Sequence, residues 1–215
     1  MTVGYTGLSS KQAAAAGFTC FTSLTRDYSH AHYYPGAKMI LIKLIAEEGT
    51  GRILGAQAIG EDGVDKRIDV FATAITARMT VFDLESLDLA YSPPFGSAND
   101  PVNVAGYVAA HIARGDVATV APESWRPSGE ILLDVRDADE VAASGRLAGA
   151  LHIPLGELRG KAGELPRDRV IVSYCQKGQR GYFAACTLQG LGFENIRNLR
   201  GGFLQARLNG FTIET

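Results

Sequence analysis

"RVIVSYCQKGQRGYFAACTLQGLG", residues 169 to 192, decides the fold of the second half of this chain. It opens on a nearly continuous apolar run ending at Cys175, the pattern of a strand buried on both faces. A short loop with Lys177, Gly178 and Arg180 follows, then a stretch that reads as helix over 178–192. Upstream, "EILLDVR" (130–136) is a second run of the same kind, followed by helical "DADEVAASG" (137–145). Downstream, "NIRNL" (195–199) is a third strand. Strands and helices in alternation predict an α/β unit with a parallel sheet flanked by helices. Right-handed crossovers bring the strand C-terminal ends to one rim, where ligands bind. Cys175 stands at such an end.

The first half reads differently. "KMILIKLIAEEGTGRILGAQAIG" (38–60) is two β-rich runs joined by a Gly-containing turn, a hairpin signal. "FTCFTSLTRDYS" (18–29) is a third strand. In "VDKRIDVFATAITARM" (64–79) the apolar residues Val64, Ile68, Phe71, Ala72, Ile75 and Met79 recur at helical spacing. That helix is expected to bury Phe71 and Ile75 and to turn Lys66 and Arg67 to water. The prolines of "YSPPFGSANDPVN" (91–103) exclude regular structure there, and helix resumes over 104–115. The first half is therefore α+β with an antiparallel sheet. The expected division is a first domain over 1–110, a linker over 111–117 and a second domain over 118–215.

Composition narrows the function classes. The 215 residues are 46% apolar and 20% charged, enough for a globular core, and the net charge is −2. No strongly basic stripe appears, which argues against nucleic acid or a membrane surface as partner. Residues 1–17 offer only a four-alanine stretch and no secretory leader. The longest apolar run, 39–46, is broken by Lys43 and too short to span a bilayer. Three cysteines, Cys20, Cys175 and Cys186, do not make a disulfide framework. The expected setting is cytoplasmic, with no metal site.

The loop after Cys175 carries the chemistry. A helix starting near Gly178 aims unpaired amides and the positive end of its dipole back at the loop. Successive loop amides form an anion nest. With Lys177 and Arg180 these lower a thiol pKa from about 8.5 toward neutrality or below. Gly178 permits φ > 0 and close backbone approach. The alternative is a small apolar residue buried at a strand end; the glycine, the two cations and the helix favour the reactive reading. Cys186, mid-helix among Ala184, Ala185 and Leu188, is expected in the core, as is Cys20.

A phosphatase loop needs five residues between cysteine and arginine, whereas four separate Cys175 from Arg180. The shorter ring, with Gln176, Lys177, Gly178, Gln179 and Gly181, resembles the rhodanese active-site loop. "LLDVRDADEVAASGRLAGALHIP" (132–154) and "NLRGGFLQARLNGF" (198–211) resemble other stretches of that family, over about residues 118–215. Arg146 stands where the family commonly has His, and His152 where Asn is common. The resemblance implies sulfur transfer: a Cys175 thiolate takes sulfane sulfur from a small anionic donor, such as thiosulfate or a polysulfide. The loop amides hold the persulfide, and a thiol or cyanide acceptor removes the sulfur. Cys175 and Arg180 are the implied catalytic pair, with Lys177 helping to bind the donor. Asp134 and Arg136 read as a structural ion pair beneath the loop.

The first half also carries a resemblance. "HAHYYPGAKMILIKLI" (30–45), "GRILGAQAIGEDGVDKRIDVFATAI" (51–75) and "LAYSPPFGSANDPVNVAGYVA" (89–109) resemble the dimerisation domain of pyridine nucleotide–disulfide oxidoreductases. The coenzyme A-disulfide reductase branch, including forms fused to a rhodanese domain, is the nearest likeness. This implies a homodimer through the first domain, with Tyr33 (or Tyr34) and Tyr91 reaching the partner's active site; simple loop packing of these tyrosines is the alternative. Full members use FAD, NAD(P)H and CoA. No G-x-G-x-x-G fingerprint occurs in this chain, so no cofactor is expected in it. It reads as the C-terminal part of such an enzyme, excised or truncated. The competing readings are a non-catalytic dimerisation and docking module and, less favoured by loop length, a cysteine-dependent phosphatase.

Overall fold

Alternating burial along one strand organises the first unit. In the computed structural model, which describes residues 1–215, the chain divides into compact units at Arg114/Gly115. The first unit contains β1 (Thr2–Gly7), α1 (Ser10–Ala15), β2 (Cys20–Tyr28), β3 (Met39–Glu47) and β4 (Ile53–Gly60). Helices α2 (Val64–Thr76), α3 (Val81–Glu85) and α4 (Pro101–Arg114) follow. The four strands form one antiparallel sheet in the order β1-β4-β3-β2. On β3, Ile40, Ile42 and Leu44 point to one face, as the two-residue strand period requires. They pack with Ala56 and Ala58 of β4 against Phe71, Ala74, Val102 and Ala105 of the helices.

Three features depart from the expectation. Residues 1–17 hold a strand and a helix. β1 is an edge strand whose Val3 and Tyr5 are exposed, so it shows no buried apolar pattern to read. α4 starts at Pro101, inside the stretch expected to be irregular. Proline suits the first helical position, and the Asp100 carboxylate accepts from the Val102 amide at 3.0 Å. α4 continues through Arg114, matching the end of the helix expected over 104–115.

The third departure is Arg67, which is 1% exposed rather than turned to water. It shares the buried stripe of α2 with Val64, Phe71 and Ala74, because helical position outweighs charge when partners are supplied. Its Nε and Nη2 donate to Asp100 Oδ1 and Oδ2 at 3.2 and 2.8 Å. Nη2 also donates to the Ser29 carbonyl at 2.5 Å, and Nη1 to the Gly63 carbonyl at 3.2 Å. Arg67 thereby ties the loop after β2 to the loop before α4. Arg67→Lys keeps the charge and loses the planar fork. With hydrogen bonds to a charged group contributing about 1.5–3 kcal/mol each, the variant is expected to lose about 2 kcal/mol, measured by urea unfolding.

The second unit contains β5 (Ala118–Val120), β6 (Ile131–Asp134), α5 (Ala138–Ser144), β7 (Arg146–Leu147), β8 (Leu151–His152) and α6 (Leu155–Lys161). After a 3-10 turn (Ala162–Glu164) come β9 (Ile171–Tyr174), α7 (Gln179–Gly190), β10 (Ile196–Leu199), α8 (Gly202–Leu208) and β11 (Ile213–Glu214). The sheet is parallel, in the order β5-β10-β9-β6-β8, while β7 and β11 pair separately as an antiparallel ribbon. Both sheet faces are covered. Leu133, Ile171, Cys175 and Ile196 pack with Ala184, Ala185 and Leu188 of α7 on one side. Leu132, Val172, Tyr174 and Leu199 pack with Phe203 and Ala206 of α8 on the other. This double burial explains the unbroken apolar runs. The strands and helix with no counterpart in the sequence reading are β5, β7, β8, β11 and α6; the strands span two or three residues, below the length at which a period shows. No helix is long and apolar enough to cross a membrane.

Candidate active site

Cys175 directly follows β9 and is 2% exposed. Gly178 then takes a left-handed conformation, φ 113° and ψ −26°, and caps the N-terminus of α7. That turn points the Gly178 amide back at the sulfur, donating to Cys175 Sγ at 3.2 Å. The first backbone bond of α7 runs from the Tyr182 amide to the Gly178 carbonyl. The amides of Gln179, Arg180 and Gly181 therefore have no carbonyl of their own helix to meet. Asn198 on β10 holds the same Gly178 carbonyl through Nδ2 at 3.2 Å.

The N-terminus of α8 anchors the loop from outside. The Phe203 and Leu204 amides donate to the carbonyls of Cys175 and Gln176 at 2.8 and 3.2 Å. This approach leaves no room for a side chain at Gly202. A Cβ there would lie 2.2 Å from the Cys175 carbonyl oxygen, and φ is +59°. Gly202→Ala is expected to push the loop off its anchor, at a cost of about 1–3 kcal/mol. Any sulfur loading of Cys175 should slow at least roughly tenfold, read by timed mass spectrometry beside a thermal melt.

Beneath the loop, Arg136 and Asp134 are fully buried and paired, Nη2 to Oδ2 at 2.6 Å. Nε also donates to the carboxylate, Nη1 to Ser144 Oγ (2.8 Å) and Gln176 Oε1 (3.3 Å), and Nη2 to the Gly145 carbonyl (2.7 Å). The guanidinium carbon lies 4.1 Å from the centroid of Phe203. One ion pair thus joins β6, the end of α5, the Cys175 loop and α8. Tyr174 packs beside it; burial first, then the Asp134 charge, pushes its phenol well above the ordinary value. His152 bonds the Arg136 carbonyl through Nε2 at 2.8 Å. Arg146 pairs with Glu214 at 2.8 Å on the β7–β11 ribbon, so the two positions that depart from the rhodanese pattern lie outside the loop.

Arg180 is clamped. Its Nη1 and Nη2 donate to Glu140 Oε2 and Oε1, both at 2.7 Å, and Nη1 to Asp137 Oδ2 at 3.0 Å. Arg180 in turn holds the Glu140 carboxyl below its usual range, which favours the ionised pair. Reading the sequence missed Asp137 and Glu140. Their D-x-x-E spacing was legible as a helix start, but not as a clamp on a residue 40 positions away. Gln179 is exposed on the first turn of α7, and Lys177 and Gln176 are half-buried. Cys186 is exposed, correcting the expectation that it lies in the core, whereas Cys20 is half-buried against the Ala13, Ile45 and Leu54 cluster. α7 presents Ala184, Ala185 and Leu188 inward and turns Cys186 outward.

The first unit brings the two candidate tyrosines together. The hydroxyls of Tyr33 and Tyr91 lie 3.0 Å apart on an exposed surface. This hydrogen bond is the main cause of a raised Tyr33 phenol pKa. Tyr34 instead sets its ring edge-on to His30. The Arg67 link holds the two loops that carry the pair. No three His, Cys, Asp or Glu side chains gather as a metal cluster. The segment "GTGRILG" (49–55) runs from the turn after β3 into β4, so no helix follows it to receive a pyrophosphate.

Residues 1–100 match the family described as pyridine nucleotide-disulphide oxidoreductase, dimerisation domain, and residues 108–207 match the rhodanese-like domain. The structure of reduced Bacillus anthracis CoADR-RHD aligns at a TM-score of 0.91 and 43% identity, over 96% of this chain and 37% of that one. A NAD-dependent persulfide reductase from A. fulgidus aligns at 0.85 and 39%, over 93% and 36%. The NAD(P)H sulfur oxidoreductase (CoA-dependent) of Pyrococcus furiosus is 39% identical over 102 residues, 47% of this chain and 23% of the relative. The chain thus spans between 23% and 37% of the length of these relatives. Its first half belongs to the dimerisation domains of the pyridine nucleotide-disulphide oxidoreductases, and its second half is a rhodanese-like domain.

Proposed function

We propose that the second unit is a sulfurtransferase that carries sulfane sulfur as a persulfide on Cys175, in the service of a CoA-disulfide, persulfide or polysulfide reductase. The observation that carries this reading is the Gly178 amide donating to Cys175 Sγ at a parallel-strand end. A donor amide there stabilises negative charge on sulfur, and the first-turn amides of α7 extend the same cradle. In the first step the Cys175 thiolate attacks the outer sulfur of the donor. A new S–S bond forms, the donor's own bond to that sulfur breaks, and the remainder leaves with the electron pair. In the second step an acceptor thiolate attacks the terminal sulfur, and Cys175 leaves as thiolate. The names of the relatives support CoA persulfide or polysulfide chemistry as the context.

The first unit, in this reading, forms a homodimer. Tyr33 and Tyr91 face the active site of the partner subunit, where a hydrogen-bonded hydroxyl pair suits a persulfide or thiolate ligand. NAD(P)H is named for the longer relatives, and FAD is expected only of a full-length enzyme.

The test is mass spectrometry of the chain after incubation with polysulfide or thiosulfate. One added sulfur mapping to Cys175 is the expected result. Cys186 is the internal comparison, since it is exposed while Cys175 is buried; preferential gain at the buried thiol reports activation by the loop. Equal gain at both would leave a docking module.

A further inference from the structure

The last residue of the Cys175 loop is an arginine whose charge is already taken. Arg180 commits both terminal nitrogens to Glu140 in a two-pronged contact and adds Asp137. The other guanidinium below the loop, Arg136, is bound to Asp134 and has no exposed surface. These two arginines and three carboxylates sum to one negative charge. Arg180 sits on the first turn of α7, the helix that Gly178 of the Cys175 loop caps, so what neutralises Arg180 acts on whatever approaches the sulfur. Glu140 and Arg180 are each about a third exposed on their side chains, which leaves the clamp in reach of a donor at the loop mouth.

We propose that Glu140, assisted by Asp137, sets donor selectivity at Cys175. By neutralising Arg180 it disfavours dianionic donors and favours donors that bring one charge or none to the sulfur. The inference rests on the sulfur-transfer reading above and goes further by naming the residue that sorts donors by charge. Glu140 touches no donor; it acts through Arg180. Lys177 is common to every comparison below and does not affect the sorting.

Two donors that hand over the same kind of outer sulfur isolate the charge: thiosulfate, a dianion, and an alkanethiosulfonate, a monoanion. With each, the Cys175 thiolate bonds to the outer sulfur and that sulfur's bond to the oxidised sulfur breaks. Sulfite or alkanesulfinate leaves with the electron pair. Sulfur gained on Cys175 of the full chain is timed by mass spectrometry at subsaturating donor, for wild type, Glu140→Gln and Asp137→Asn.

Glu140→Gln is expected to raise the thiosulfate rate relative to the alkanethiosulfonate rate by roughly tenfold, and added salt should erode that gain. Asp137→Asn, more exposed and making one contact, should shift the ratio less, by roughly twofold to threefold. It also carries the test if Glu140→Gln folds poorly. Adding Arg180→Gln to Glu140→Gln should abolish the gain. A ratio unchanged in both carboxylate variants, with Cys175 still loading, overturns this proposal alone, as does a gain that survives loss of Arg180. No loading from either donor in any of the proteins overturns the sulfur-transfer reading and this proposal with it.

Discussion

Cys175→Ser is expected to take up no sulfur from thiosulfate or polysulfide, a loss of about a thousandfold or more at that position. The substitution is small. Serine occupies nearly the same volume at the end of β9, and its oxygen can accept from the Gly178 amide that now meets Sγ at 3.2 Å. The loop should keep its shape, so the thermal melt should move by no more than about 1 kcal/mol equivalent. What disappears is the only atom at that point able to hold a sulfane sulfur. Cys186 remains exposed on α7 and reports any uptake due to exposure alone. Full loading of the variant would place the sulfur on Cys20 or Cys186 and end the assignment of the loop as the carrier.

Arg136→Leu is expected to destabilise the second unit by about 3–5 kcal/mol, because it leaves the Asp134 carboxylate buried without its partner. Both side chains are wholly buried, so water cannot replace the lost contacts. The Gly145 carbonyl, Ser144 Oγ and Gln176 Oε1 lose a donor at the same time. For a unit of about a hundred residues, each kcal/mol lowers Tm by about 4–8 °C, an effect easily read by calorimetry. Replacing both members, as in Asp134→Leu with Arg136→Leu, removes the stranded charge and should recover part of the loss. If the single variant melts like wild type, the pair is not what ties β6 to the loop. Through Gln176, sulfur loading of Cys175 should fall along with stability.

Neighbouring residues carried most of the legible signal. The runs 130–136 and 169–175 announced strands buried on both faces, and the hairpin over 38–60 announced the antiparallel sheet. Cys175 with Gly178 and Arg180 stood out because one short loop holds them. Arg67 shows where that kind of reading stops. Charge argued for solvent, whereas Ser29 and Asp100, supplied from two distant loops, made burial favourable. Cys186 fails in the other direction, since its apolar neighbours suggested the core and helix geometry turned it outward. β1 escaped because an edge strand with exposed side chains leaves no pattern of burial.

The amino-acid order alone determined the two fold classes, the strand-end cysteine and the length of its loop, since these depend on local period, turn chemistry and spacing. Only the tertiary structure decided what surrounds the charges and hydroxyls. It brought Tyr33 to Tyr91 across 58 positions, Arg180 to Glu140 across 40, and the amides of α8 to the back of the Cys175 loop. The physical reason is the short reach of these forces. Hydrogen bonds and ion pairs act over about 3 Å, and which residues come that close is set by the packing of whole elements, which no local stretch of sequence contains.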